Sequence, residues 1–154
     1  MVVVAVLAIA VIGVGCGGGG NGVEVAIPKP EFVKRASVVC QKASRRIKTE
    51  FAAYLNGGKS KEVERAEKAG EMTTGEAASM IAEEIVIPAM REERDAIRLL
   101  GIPAGDKGRA VALVAAFRSG VEEAEAHPQK AAEDGTDAFG RQERLAREYG
   151  LDGC

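Results

Sequence analysis

The sequence predicts an all-α fold: an antiparallel bundle of about four unequal helices, one kinked at a proline, closed by a disulfide. Three observations predict it. Apolar residues recur at spacings of three and four in several segments, the period of a single helical face. Glycines, prolines and Thr or Asp caps punctuate those segments where helices begin and end. No stretch carries a convincing strand-like alternation, and helices without a sheet must bury their stripes on one another.

The first helix is expected over residues 30–56. Ala36, Cys40, Ala43, Ile47, Phe51 and Tyr54 share one face. Lys34, Arg35, Lys42, Arg45, Arg46 and Lys48 gather on the opposite side, and Asn56-Gly57-Gly58 supplies a left-handed glycine stop. Residues 59–72 are charged and irregular and read mainly as a connector, with a short solvated helix as the alternative. Thr73-Thr74-Gly75-Glu76 has capping-box spacing and opens the second helix, which carries Ile85-Val86-Ile87-Pro88-Ala89-Met90. That unbroken apolar run belongs mid-bundle, and Pro88 removes a hydrogen bond and should kink the helix. Leu100-Gly101-Ile102-Pro103 ends it, and Asp106 caps a third helix that buries Ala110, Leu113, Val114, Phe117, Val121 and Ala124. After His127-Pro128 a polar loop runs to Thr136. A short helix follows, with Phe139, Leu145 and Tyr149 inward, stopped at Gly150-Leu151.

The chain begins with an apolar run, residues 1–15, that holds no charge and stops at Cys16. It is shorter than the roughly 18 to 20 apolar residues a membrane-spanning helix needs, and it suits a signal-peptide core of about 7 to 15. Residues 16–27 are a glycine-rich tether, and about eleven such residues span roughly 18 Å as a flexible coil. Residues 28–154 then form one helical domain.

Composition narrows the function. The net charge of −2 indicates neither a nucleic-acid binder nor a strongly acidic tail. Aromatic residues make up only 4% of the chain with no tryptophan, so the core is expected to rest on Val, Ile, Leu and Ala, and a covalent constraint would help it. If Cys16 carries lipid, Cys40 and Cys154 remain and allow one pairing; the alternative is two reduced thiols. Closing a loop of about 115 residues stabilises by roughly 4 to 5 kcal/mol at most on chain-entropy reasoning.

Gly13-Val14-Gly15-Cys16 resembles a bacterial lipobox. With it stand Phe32-Val33-x-x-Ala36-x-x-x-Cys40, Ile85-Val86-Ile87-Pro88, Leu100-Gly101-Ile102-Pro103-Ala104-Gly105-Asp106 and the ending Ala146-Arg147-Glu148-Tyr149-Gly150-Leu151-Asp152-Gly153-Cys154. Together they resemble small lipoproteins of high-GC Gram-positive bacteria. The resemblance implies lipidation of Cys16, anchoring at the outer face of the bacterial cytoplasmic membrane, and the Cys40–Cys154 pairing. Attachment through two acyl chains or more would be stable where one is marginal. It implies no activity.

Candidate chemistry is sparse. His127, the single histidine, precedes Pro128 at a helix end, and soft metal sites need several His or Cys ligands. Glu83, Glu84, Glu92, Glu93, Asp95, Glu122, Glu123 and Glu125 are potential oxygen ligands for a hard cation. Ion pairing of Glu84 with Arg91 and Arg94, and of Glu93 with Arg94 and Arg98, is the better reading. Gly105-Asp106-Lys107-Gly108 lacks the strand and spacing of a phosphate loop. No catalytic residue, cofactor or metal site is therefore expected. The cations of the first helix (Lys34, Arg35, Lys42, Arg45, Arg46, Lys48) are candidate contacts for anionic lipid or cell-wall polymer. The expectation is a non-enzymatic, lipid-anchored extracytoplasmic protein with a structural or binding role. The alternative is a small-molecule or ion binder with its pocket near the Pro88 kink.

Overall fold

A computed structural model describes residues 27–132 and 137–154. The apolar leader, Cys16 and most of the expected tether lie outside the described residues. Among those described the chain is all-α, with no strand, and no helix is long and apolar enough to cross a membrane.

Helix α1 (Lys29–Asn56) starts beside Pro28 and buries Phe32, Ala36, Cys40 and Ala43. Its expected stripe does not stay buried to the end. Ile47 and Tyr54 are half-buried and Phe51 is 40% exposed. Length explains this: at 1.5 Å per residue the 28 residues of α1 run about 42 Å, twice the reach of the 13-residue helix packed on it.

The expected stop at Gly57 takes another form. Gly57 is extended (φ −87°, ψ 171°), and Gly58 already opens α2 (Gly58–Ala69), where a connector was expected. Strong helix formers such as Glu, Lys and Ala carry this segment, aided by the Glu64–Lys68 pair at 2.6 Å, while Val63 alone is buried. Gly70, at φ 73°, supplies the left-handed stop.

Thr73 caps α3 (Thr74–Ile81) as its spacing predicts: Glu76 N–H donates to the Thr73 hydroxyl, and Thr73 N–H donates to the Glu76 carboxylate at 2.7 Å. The interruption at Pro88 is a π-turn over Ala82–Val86, in which Ile87 N–H donates to the Ala82 carbonyl. Pro88 has no N–H to donate, and its ring crowds the carbonyl four residues back, so the wider turn falls immediately upstream. Helix α4 (Ile87–Leu99) continues with Ile87, Ala89, Met90, Glu93 and Ile97 buried.

Gly101 (φ 77°) closes α4. Asp106 takes the N-cap position of α5 (Lys107–Ala126), but its carboxylate does not cap. Lys29 holds it instead at 2.7 Å. The buried face of α5 is the expected one, with Ala116 and Gly120 added and Val114 half-buried. The segment after His127 is helical at first, forming α6 (Pro128–Ala132) where a loop was expected. Helix α7 (Asp137–Tyr149) buries Gln142, Ala146 and Tyr149, leaving Phe139 and Leu145 partly covered. It ends at Gly150, with Leu151 N–H returning to the Ala146 carbonyl.

Helices α1 and α4, α4 and α5, α5 and α7, and α3 and α6 pack in pairs. The main core gathers Phe32, Cys40, Ile97, Leu113, Phe117, Tyr149 and Leu151. Aliphatics do not carry it alone: Phe32 and Phe117 are the bulkiest fully buried side chains. Ile27, the last residue of the expected tether, packs on this core, and its carbonyl accepts from Ala104 N–H at 3.1 Å. Cys40 and Cys154 stand at disulfide distance with Cα atoms 4.7 Å apart. The segment after α7 lies along α1: Asp152 N–H donates to the Ser37 hydroxyl, and Ser44 donates to the Gly153 carbonyl. Gly153 has φ 81°, and a Cβ there would come within 2.9 Å of the Gln41 side chain, so glycine suits this docking.

Candidate functional site

Where α1 outruns the core, the π-turn and α7 leave a cavity of about 590 Å³. Its walls include Ile47, Phe51, Ile81, Val86, Met90 and Phe139, with Ala131 and Ala132 of α6 beside them. Glu93, Gln142 and Cys154 also line it. The site therefore lies beside the Pro88 interruption and against the disulfide.

Glu93 is the unexpected member. A surface pairing with Arg94 and Arg98 was expected, yet Glu93 is only 3% exposed. The spacing Met90-x-x-Glu93-x-x-x-Ile97 puts it on the face α4 turns inward, and this was the signal available in the sequence. The arginines go elsewhere. Arg94 pairs with Asp95 at 3.1 Å, Arg98 approaches the same carboxylate at 4.0 Å, and Arg91 reaches Glu125 at 2.5 Å. Glu84 pairs with Lys59 of α2, not with Arg91 or Arg94.

Gln142 meets Glu93 from α7. Its amide Nε2 donates to Glu93 Oε2 at 3.4 Å, a long bond, and its Oε1 has no partner among the described residues. Gln142 is 2% exposed, so an unfilled acceptor is buried here beside a buried carboxyl. Burial pushes the Glu93 carboxyl up to about 7, the bond from Gln142 working against that shift. Helix α7 repeats the logic of α4, since Gln142 falls three residues after Phe139 and four before Ala146.

Cys40, Glu93 and Cys154 bring ligand-type atoms within 4.8 Å of one another. Paired sulfurs lack the thiolate charge that binds a metal, so in the disulfide form this group is not a coordination set.

The basic face of α1 is partly spent inside the molecule. Arg35 pairs with Glu31 at 2.6 Å, and Arg46, half-buried, pairs with Glu50 at 2.8 Å and Glu92 at 2.5 Å. Lys34, Lys42, Arg45 and Lys48 stay exposed without an ion pair among the described residues. They fall within an arc of about 120° opposite the buried stripe. His127 is exposed with Glu123 at 3.8 Å, consistent with its place at a helix end.

A second recess, of about 520 Å³, is bordered by Arg94, Asp95, Arg98, Arg118 and Glu122. Its charges answer one another, Arg118 approaching Glu122 at 3.6 Å and both other arginines approaching Asp95. The cavity over Glu93 differs in holding a buried carboxyl with no cationic partner, and a buried amide oxygen with no hydrogen-bond partner, among the described residues. Comparison with protein-family models, with curated proteins and with solved structures gave no match.

Proposed function

We propose that this chain is a non-enzymatic binding protein, lipid-anchored through Cys16 at the outer face of the bacterial cytoplasmic membrane, that takes a small ligand in the cavity beside Pro88. The observation that carries the binding reading is the floor of that cavity. Burying a carboxyl and an amide without full hydrogen bonding costs on the order of 1 to 3 kcal/mol per group. An apolar pair would fill a core without that cost. A cavity with apolar walls and a few convergent polar groups is the ordinary form of a small-molecule site.

The anchor reading is supported by the charge-free run before Cys16 and by its agreement with the exposed cations. Lys34, Lys42, Arg45 and Lys48 would each add on the order of 1 kcal/mol of attraction to an anionic leaflet. The mature chain is expected to begin at Cys16 with diacylglycerol mass attached, and an intact, unlipidated amino terminus would end this part of the proposal.

Binding is tested by thermal unfolding of the full chain in lipid nanodiscs against a broad metabolite panel. A ligand at about a hundred times its Kd stabilises by about 2.7 kcal/mol. That shift should vanish in Val86→Trp, which fills the cavity from its wall. No stabilisation by any compound, or stabilisation untouched by Val86→Trp, would remove the cavity from the function.

A further inference from the structure

We infer that the cavity receives an organic cation: an apolar body bearing a protonated amine, with Glu93 as its counter-charge. This rests on the binding reading above and names the ligand's chemistry.

Charge is the first argument. Among the described residues, the ionisable side chains lining the cavity are Glu93 and Glu143, and no lysine or arginine lines it. Glu143 lies half-exposed, with Arg147 at 3.8 Å. Glu93 has no cationic partner among the described residues; the polar side chain it meets is Gln142. On its other side a smaller recess of about 140 Å³ is bordered by Lys42 and Arg46. Arg46 is already held by Glu50 and Glu92, and Lys42 is exposed on the outer face of α1. A buried carboxylate left without a countercharge is strongly disfavoured, so it favours whichever cation can reach it.

The walls decide what kind of cation. Phe51 and Phe139 both line the cavity, and an ammonium gains from lying over an aromatic face. Ile47, Ile81, Val86 and Met90 offer surface that only an apolar body can cover. A calcium ion needs roughly six to eight oxygen ligands and would leave most of that space unused. An anion would face two carboxylates. A neutral apolar molecule would leave Glu93 and Gln142 unanswered, the mismatch by which polar sites reject analogues. The N–H groups of an ammonium, in contrast, match acceptors such as the Glu93 carboxylate and Gln142 Oε1.

The test uses the full chain in lipid nanodiscs, in mildly alkaline buffer. Binding is measured for matched sets that share an apolar body and differ in the head: 1-adamantylammonium, 1-adamantanol and adamantane-1-carboxylate, then the corresponding phenylpropyl and octyl compounds. In at least one set the ammonium is expected to bind roughly ten-fold or more tighter than the alcohol, with the carboxylate weakest. Glu93→Gln should bring the ammonium down to the level of the alcohol in the same variant, while Glu143→Gln changes little. Alcohols that match their ammonium partners in every set, or a preference that survives Glu93→Gln, would overturn the inference and leave the cavity reading standing. Calcium chloride alone displacing the ammonium from its site would overturn it in favour of an inorganic cation. If no compound in any set binds, the inference is overturned, and the binding reading stands or falls on the metabolite panel alone.

Discussion

The two ends of α1 teach different things about the molecule. At its start, Phe32 meets the Tyr149 ring edge-on at 5.7 Å, and Phe117, Leu113 and Ile97 fill the space behind, with almost no residual exposure. At its far end Phe51 stacks on Tyr54 at the surface, and the buried cluster nearby is small, built on Ala82, Ile87 and Ala124. One helix thus runs from a dense, disulfide-closed core into a cavity whose floor holds a buried carboxyl and an amide oxygen without a partner among the described residues. Dense packing concentrates at the first end, and the second is left open.

The sharpest way to break that comparison is to truncate one phenylalanine at each end. Phe117→Ala should cost about 3 to 5 kcal/mol, because it empties a fully buried site whose neighbours collapse only in part. Phe51→Ala should cost clearly less, about 1 to 2 kcal/mol, because the residue is already 40% exposed and faces a cavity. Urea unfolding of the full chain measures both. Equal losses would mean that the far end of α1 is as much a part of the core as the near end.

Legibility divides along the same line. Features set by neighbours in sequence were readable: the Thr73–Glu76 capping box, the glycine stops at Gly101 and Gly150, and the inward stripe of α5. The pairing of Cys40 with Cys154 was readable because few cysteines remained once Cys16 was set aside. Helix α2 was only the second reading of its segment, since its formers have high propensity but only Val63 to bury, and a stripe was the signal sought. The spent half of the basic face was hidden in part by distance along the chain: Arg35–Glu31 is an i,i+4 pair, whereas Arg46–Glu92 joins two helices. Pro88 pointed to the place of the cavity, but its extent depends on one helix outrunning another, which no local pattern encodes. Its polar floor was half-visible. Glu93 and Gln142 both occupy inward positions of amphipathic helices, but a charged residue beside arginines invites an ion-pair reading first.

A smaller effect sharpens the comparison at the polar floor itself. Folding holds the proton of Glu93 up to about pH 7, whereas an unfolded chain gives it up near the ordinary 4.5. Between those values the folded state binds more protons, so this group's contribution is fully present below about 4.5 and is lost as pH rises through about 7. Glu93→Gln removes the titration while keeping the shape and the neighbour of Gln142. The variant should match the native chain near pH 4 and exceed its stability above pH 7 by up to roughly 3 kcal/mol. Carboxyls held down by partners, such as Glu31 by Arg35 and Asp106 by Lys29, titrate in the opposite sense at lower pH in both chains and cancel in the difference. Unfolding free energies of the two chains across this range provide the measurement. A difference that stays flat with pH would show that water or another group satisfies Glu93 in the folded chain, and the loose end of α1 would then lack the unmet charge that distinguishes it from the packed one.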